Sequence, residues 1–291
     1  MGKRRNRRGS LLYVLIAATV VSGQAAAAGE PIEVTKAKSS QWRLIDAGAF
    51  ADSINHAVMK YEGQKAPYKQ YAAEQIVHIA ENLLAGQNWD GGWPKNKDWI
   101  KIYSAKELSR LHGRSTFDNG STWAQIDYLA RVYRQTGLKR YADSAIRGIE
   151  YILEQQRESG GWRGADVDAI TFNDDVMTGV LRTLKAVAKD RRMYPFVEGT
   201  LLERVNTSYA EGLKCVLDTQ IKLDGRLTAW AQQHDHKTLK PVWARAFEPP
   251  ALVTAESVGV VRFLMSIAYP TPEIIESIQA AVAFHLALDR L

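Results

Sequence analysis

The chain has 291 residues, of which 46% are hydrophobic and 24% charged, enough to bury a full hydrophobic core. This length and composition exclude an intrinsically disordered or fibrous protein. The formal charge of +6 comes largely from the first 28 residues, which hold five of the 38 lysines and arginines and no acidic residue. The remaining 33 basic and 32 acidic residues leave a net charge of +1, so electrostatics gives no argument for nucleic-acid binding.

The first 28 residues have the three regions of a secretory signal peptide. Basic residues precede an apolar run of 11 residues at positions 11–21, and the small residues 25–28 follow. This order predicts cleavage near Ala28 and export to the periplasm or out of the cell. The apolar run is too short for a permanent membrane span, so residues 29–291 are expected to form one domain outside the membrane.

Beyond the leader, the hydrophobic pattern has the period of amphipathic helices and lacks the sustained alternation of a sheet. The sequence therefore predicts an all-α fold. The predicted helices, in chain order, cover residues 40–61, 69–85, 121–135, 139–156, 174–189, 201–219, 255–267 and 272–288.

Three similar segments recur along the helical region, at residues 82–93, 151–162 and 215–230. In each, a helix ends at a glutamine and passes into a turn that ends in a tryptophan. The glutamines, aligned as Gln87, Gln155 and Gln220, are 68 and 65 residues apart. Repeated helix pairs bury their apolar faces by stacking on their neighbours, so the pattern predicts an (α/α) toroid of about three pairs.

Long links at residues 86–120, 157–173 and 220–254 join the predicted helices. If successive helices alternate in direction, all three lie at one end of the toroid, where a binding site is expected. The helices that follow begin near Asp118 and Asn119, near Asp174 and Asp175, and near Glu256. These side chains cap helices, hold a hard cation such as Ca²⁺, or act as a general acid and base.

The links are also rich in tryptophan, histidine and lysine. The tryptophans of the first link form either a plug at the end of the toroid or a wall for sugar rings, with nearby lysines for carboxylate groups. In the third link, His234 and His236 flank Asp235, a pattern that zinc sites and ordinary polar loops share. The sequence has no phosphate-binding glycine loop, serine nucleophile elbow or HExxH motif.

Five motifs together carry a resemblance to a known family. They are DGGWPKN at 90–96, TFDNGSTW at 116–123, ITFNDDVMTGVL at 170–181, WAQQHDHKTLKPVWARAFEP at 230–249 and ESVGVVRFLMSI at 256–267. In this order, over residues 40–288, the chain resembles the family 10 polysaccharide lyases, which are pectate lyases. The family pattern continues beyond the last motif, so the resemblance implies a chain truncated at its C-terminus.

The resemblance implies an α-toroid enzyme that cleaves polygalacturonate, the de-esterified backbone of pectin, by Ca²⁺-assisted β-elimination at alkaline pH. It implies that Asp118 and one of Asp174 and Asp175 hold the Ca²⁺, and that Arg245 removes the C5 proton. Further residues expected to bind substrate are Trp93, Lys95, Asn119, Trp162, Trp230, His234, Asp235 and Lys237. We expect a monomer with no nucleic-acid partner.

Three alternatives stay open at this point. A terpenoid cyclase shares the Q-x-x-D-G-G-W turn of residues 87–93, but its DxDD signature is broken at Ala169 and export argues against its substrates. A toroid glycoside hydrolase would use two of the helix-start carboxylates as acid and base. A catalytically weak or inactive lyase-like protein would bind pectate without cleaving it.

Overall fold

The computed structural model describes residues 42–59, 61 and 66–288, and the predicted signal peptide and its cleavage site lie outside these ranges. Within them the chain is predominantly α-helical, as predicted. The helices are α1 Ala51–Met59, α2 Ile76–Gly86, α3 Ala105–Leu108, α4 Trp123–Thr136, α5 Lys139–Glu154, α6 Val176–Lys189, α7 Gly199–Asp218, α8 Thr254–Met265 and α9 Pro272–Leu288.

The long links contain six strands of two residues each, which the sequence does not predict. They are β1 Ile170–Thr171, β2 Lys222–Leu223, β3 Arg226–Leu227, β4 Trp230–Ala231, β5 Gln233–His234 and β6 Leu252–Val253. They form the antiparallel pairs β1–β5, β2–β3 and β4–β6. The first pair joins the second long link to the third, with Ile170 opposite His234.

Two predicted helices are shorter than expected because their backbone groups bond elsewhere. The prediction at 40–61 reduces to a 3-10 turn and α1, since the amide and carbonyl of Arg43 bond the side chain of Gln135. The prediction at 69–85 begins at Ile76, since Lys69 and Tyr71 pair with the strand-like segment around Lys101. The unpredicted α3 is held by a capping box between Ser104 and Glu107.

The helices form two layers of antiparallel hairpins. The hairpins are α4–α5, α6–α7 and α8–α9. We call α4, α6 and α8, which pack in series in one layer, the inner helices, and α2, α5, α7 and α9, which form the other layer, the outer helices. The 3-10 turns 118–120 and 173–175 before α4 and α6 contact each other, and α8 contacts the second turn. This brings the starts of three helices together at one end, as the alternation of helix directions predicts. None of the helices in the described ranges combines the length and hydropathy that a membrane crossing requires.

A glutamine in each repeat ties one outer helix to the next. The side-chain amide of Gln87 donates to the carbonyls of Gly91 and Ser144, at 2.8 and 2.9 Å. Gln156 donates in the same way to Gly160 and Ser208, and Gln220 to Thr228 and Ser277. The second repeat therefore uses Gln156, and the alignment of Gln155 with the other two glutamines is wrong.

The repeat tryptophans Trp93, Trp162 and Trp230 have no exposed surface. Their indole N–H groups donate to the carbonyls of Leu83, Ile152 and Val216 in the preceding outer helix. Their backbone N–H groups bond side chains at the start of the following inner helix: Thr122, Met177 and Ser257. The expectation that they bind substrate is wrong, because a ring without accessible surface cannot stack on a sugar. They plug the end of the helix array instead.

We predict that Gln156→Ala lowers the free energy of unfolding by about 1–3 kcal/mol, because it leaves the carbonyls of Gly160 and Ser208 without their shared donor. Chemical denaturation measures the change. The matched control is Gln155→Ala, since the neighbouring Gln155 side chain is exposed and forms neither bond. Equal destabilisation by the two substitutions would contradict this role for Gln156.

Candidate active site

A small cavity lies where the helix starts meet, between the three long links. Its walls come from the 3-10 turn 118–120, the segments 164–167 and 171–174, and the loop 233–248. The lining residues are Asp118, Gly164, Ala165, Asp166, Val167, Thr171, Asn173, Asp174, Gln233, Ala244, Arg245 and Glu248. Three of the residues singled out from the sequence, Asp118, Asp174 and Arg245, therefore share one cavity.

The two 3-10 turns that supply the carboxylates have the same backbone form. In each, a buried phenylalanine precedes the turn. The second turn runs directly into α6, whereas Ser121 and Thr122 separate the first turn from α4. Asn119 and Asp174 occupy the left-handed region, both with φ of 53°. Asn and Asp tolerate this conformation better than other non-glycine residues, and such strained backbone is common at functional sites.

Asp118 is held by contacts on both of its carboxylate oxygens. Its Oδ2 accepts from Lys95 Nζ at 2.9 Å and from the backbone N–H of Ala165 at 3.0 Å. Gly164 presses against the other oxygen, because a Cβ built at this glycine would lie 2.2 Å from Asp118 Oδ1. The residue is only 2% exposed, so these contacts hold Asp118 in a fixed, buried position.

Lys95 links Asp118 to a second acidic residue. Its Nζ also lies 3.6 Å from Oδ2 of Asp166. Burial alone lowers the pKa of Lys95, but its contacts with Asp118, Asp166 and Asp174 outweigh burial and raise that pKa. The lysine is therefore a permanent positive charge at the cavity wall.

The structure distinguishes Asp174 from Asp175. Asp174 lines the cavity, where loss of hydration, followed by repulsion from Asp118 and Asp52, raises its pKa to about 6. Asp175 lies outside the lining and accepts a hydrogen bond of 2.6 Å from Thr178 in the first turn of α6. Asp174 is therefore the carboxylate that faces Asp118 across the site.

Arg245 forms a close ion pair with Glu248. Its Nε donates to Glu248 Oε2 at 2.9 Å, its Nη2 bonds the other carboxylate oxygen, and its backbone N–H donates to Oε2 at 3.0 Å. Its Nη1 lies 3.8 Å from Asp166. Hydrogen bonding to Glu248 raises the pKa of Arg245 above its ordinary value, in spite of some desolvation. About 45% of the Arg245 side chain is exposed, and its guanidinium lies close to the carboxylates of both Glu248 and Asp166.

The remaining predicted residues of the third link do not line the cavity. His234 is fully buried, with Nδ1 bonded to the carbonyl of Leu239 at 2.8 Å and Nε2 to the backbone N–H of Ala231 at 3.2 Å. Burial lowers the pKa of His234, which keeps the ring neutral. Its predicted contact with substrate is wrong, because both nitrogens are used within the loop and the ring is inaccessible.

Three other predicted substrate residues do not line the cavity. Asn119 is buried and donates to Oδ1 of Asn96 at 2.7 Å. Asp235 accepts from the backbone N–H groups of Lys237 and Thr238, which lowers its pKa and stabilises the loop. Lys237 is exposed on the same turn. Their roles toward a substrate stay predictions.

The donor set of the cavity suits a hard cation. Among the described residues, no three His, Cys, Asp or Glu side chains form a ready metal cage. Asp118 and Asp174 nevertheless offer carboxylate oxygens close enough to raise the pKa of Asp174. A cation between them would relieve this repulsion and would complete its coordination with water or with a carboxylate of the substrate.

The sequence does not predict two acidic residues of the cavity, Asp166 and Glu248. Asp166 lies between Lys95 and Arg245. Glu248 orients the guanidinium of Arg245 from three residues further along the chain. The spacing of three residues between Arg245 and Glu248 is a signal that sequence analysis could use. The proximity of Asp166 to Arg245 depends on how the second and third links fold together.

Comparisons with known proteins point to one family. A family model described as Pectic acid lyase matches residues 87–288. The structure is similar to a family 10 polysaccharide lyase from Cellvibrio cellulosa, with a TM-score of 0.66 and 28% identity, covering 83% of this chain and 72% of that one. It is also similar to a mutant of such a lyase from that organism in complex with trigalacturonic acid, with a TM-score of 0.65 and 28% identity, covering 83% and 73%. No curated protein matches this chain.

We predict that Asp174→Asn stabilises the protein at neutral pH. Because the folded state raises the pKa of Asp174 from 3.8 to about 6, the unfolded chain loses this proton first, so the free energy of unfolding falls as the pH rises from 4 to 6 and stays lowered above pH 6. The gain from the substitution should therefore shrink as the pH falls from 6 to 4. Denaturant unfolding of both proteins across this range measures it, with Asp175→Asn as control. A gain that is the same at every pH would contradict the prediction.

Proposed function

This chain belongs to the pectic acid lyase family and is a polysaccharide lyase, and we propose that it cleaves polygalacturonate by β-elimination at the cavity between Asp118, Asp174 and Arg245. The observation that carries the proposal is the meeting of Asp118, Asp174 and Arg245 in one cavity at the junction of three links, with Lys95 bonded to Asp118 beside it. The trigalacturonic acid complex of a similar lyase supports the choice of substrate.

Asp118 and Asp174 would hold a Ca²⁺ ion that also contacts a carboxylate of the substrate. When bound there, the ion supplies positive charge that stabilises the carbanion developing beside that carboxylate. Loss of hydration is the main cause of the raised pKa of Asp174, and repulsion from Asp118 and Asp52 adds to it; a divalent cation would offset this repulsion, which supports the assignment. Asp175 is left out because it does not line the cavity and its carboxylate accepts a hydrogen bond from the hydroxyl of Thr178.

Lys95 supplies positive charge that does not depend on a metal ion. It lies beside Asp118 and remains protonated because Asp118, Asp166 and Asp174 raise its pKa. A uronate carboxylate that enters the cavity would gain a charge-assisted hydrogen bond from its ammonium group. The same contact fixes the orientation of Asp118.

Arg245 is the proposed proton acceptor. In the elimination, the C5 proton passes to the neutral guanidine, its electron pair forms the C4–C5 double bond, and the bond from C4 to the leaving oxygen breaks, with a proton supplied to that oxygen. Glu248 aims the guanidinium through its paired hydrogen bonds. It also raises the pKa of Arg245, so only a small fraction is neutral, and this fraction grows tenfold with each pH unit.

Membership of the pectic acid lyase family favours a lyase over a toroid hydrolase. Binding of pectate without cleavage is one of the outcomes that the assay below distinguishes. We also propose that the enzyme works outside the cytoplasm, on the basis of the leader pattern in residues 1–28.

The lyase assay follows absorbance of the unsaturated uronide with polygalacturonate at alkaline pH. We expect a rise that needs Ca²⁺ and is abolished by a chelator. Arg245→Ala should lower kcat by about 10²–10⁴, the usual range for loss of a proton-transfer group. The control is Arg262→Ala, an exposed arginine on α8 outside the cavity. New reducing ends without absorbance would indicate a hydrolase, and binding without either would indicate an inactive relative.

We predict that Glu248→Gln moves the alkaline rise of kcat/KM to lower pH. The substitution removes the ionic partner that raises the pKa of Arg245, so the neutral guanidine becomes available at lower pH. A pH profile from 7 to 11 measures the shift, even if the looser guanidinium lowers the maximal rate. Glu256→Gln is the matched control, because Glu256 contacts Gln232 and does not line the cavity. An unchanged profile would argue against Arg245 as the proton acceptor.

A further inference from the structure

A second, larger groove of about 660 Å³ adjoins the cavity on the side of the first long link. Gly164 lines both spaces, so the groove and the cavity share a wall. The floor of the groove contains Tyr151, and its sides carry Trp89, Arg114 and Arg163. None of these residues takes part in the chemistry proposed above.

Trp89 is 97% exposed, whereas Trp93, Trp99, Trp162 and Trp230 have no exposed surface. Its exposure does not come from a loosely held loop. The neighbouring Asn88 donates from its backbone to Gly92 at 2.9 Å and from its side chain to Gly113 and Ser115 at 2.8 and 2.7 Å. The turn is thus fixed by buried hydrogen bonds and presents one large aromatic face to solvent.

Asp90, the residue after Trp89, also stabilises this turn through its carboxylate. Asp90 accepts from the hydroxyl of Ser115 at 2.7 Å and from the backbone N–H of Gly92 at 3.0 Å. Gly91 has φ of +89°, and a Cβ there would lie 2.3 Å from the carbonyl of Arg147. Asp90 is the carboxylate on the groove side of the turn, and its oxygen is engaged by these two donors.

Arg114 and Arg163 place two guanidinium groups along the groove. Arg114 donates to the carbonyl of Ala165 at 3.2 Å, and within the described residues it has no ion-pair partner. Arg163 donates to the carbonyl of Gly164 at 3.1 Å and pairs with Asp168 at 3.3 Å. Both arginines act electrostatically on Tyr151 in the groove floor. Planar guanidinium groups suit carboxylates, which they bind with paired hydrogen bonds.

We propose that this groove binds further uronate units of the polysaccharide, with Trp89 stacking on a sugar ring and Arg114 and Arg163 pairing with carboxylates. The inference rests on the proposed function for the identity of the polymer. An amphipathic sugar ring matches an exposed indole, and its carboxylate matches the arginines beside it. Gly164 borders both spaces, so a polysaccharide chain bound in the groove passes next to the cavity.

The test compares long polygalacturonate with the shortest oligogalacturonate that the wild-type enzyme cleaves. For Trp89→Ala, we expect KM on the long substrate to rise by roughly three- to tenfold, the range of an aromatic contact, with kcat/KM on the short one unchanged. Arg114→Ala should behave alike and weaken the salt dependence of KM. Trp89→Phe should restore part of the loss. Tyr269→Ala, which removes a side chain 94% exposed on the α8–α9 link, is the matched control.

Each outcome separates the groove from the lyase activity. Equal losses on long and short substrates, or no loss on either, would overturn the groove as a binding site. If the wild type cleaves neither substrate, affinity electrophoresis in polygalacturonate gels decides: weaker retention of Trp89→Ala supports the groove while the proposed function fails. Retention of neither protein would overturn both.

Discussion

The repeated clamp of glutamine and tryptophan is the interaction on which the rest of the structure depends. In each repeat, an amide bonds two carbonyls, one in its own turn and one in the next outer helix, and an indole fills the space beneath. Because the turn is fixed at both ends, the long link that follows must start from the same end of the helix array every time. The cavity exists because three such links are directed to one place.

The site combines opposite charges that the fold does not let relax. Asp118 and Asp174 line the same cavity, and loss of hydration together with repulsion from Asp118 raises the pKa of Asp174. Lys95 and Arg245 stand beside them, each drawn to an acidic partner that raises its own pKa. A site of this kind favours ligands that bring both a cation and a carboxylate, since either alone leaves one set of charges unmatched. An acidic polysaccharide that binds together with a cation supplies both kinds of charge.

Much of the architecture could be predicted from the sequence, because α4 to α9 have clear helical periodicity and the links between them are unusually long. The convergence of Asp118, Asp174 and Arg245 followed from alternating helix directions and from the motifs. The roles of aromatic residues could not be predicted in this way. Trp89 and Trp93 lie four residues apart in the same link, yet Trp93 is buried with its indole bonded to Leu83 and Trp89 is 97% exposed. The sequence likewise predicts that His234 binds substrate, whereas the structure buries it with both ring nitrogens bonded within the loop.

The clamps also determine how local fluctuations spread through the molecule. Each links only one outer helix to its neighbour, so α5, α7 and α9 are coupled in a line rather than all to all. In such quasi-one-dimensional arrays, stability is a sum over neighbouring contacts, and openings start at the ends. Amide hydrogen exchange should therefore be slowest in α4 to α6 and faster toward α9, which would place Arg245, close to that end in the chain, on the more adaptable side of the site.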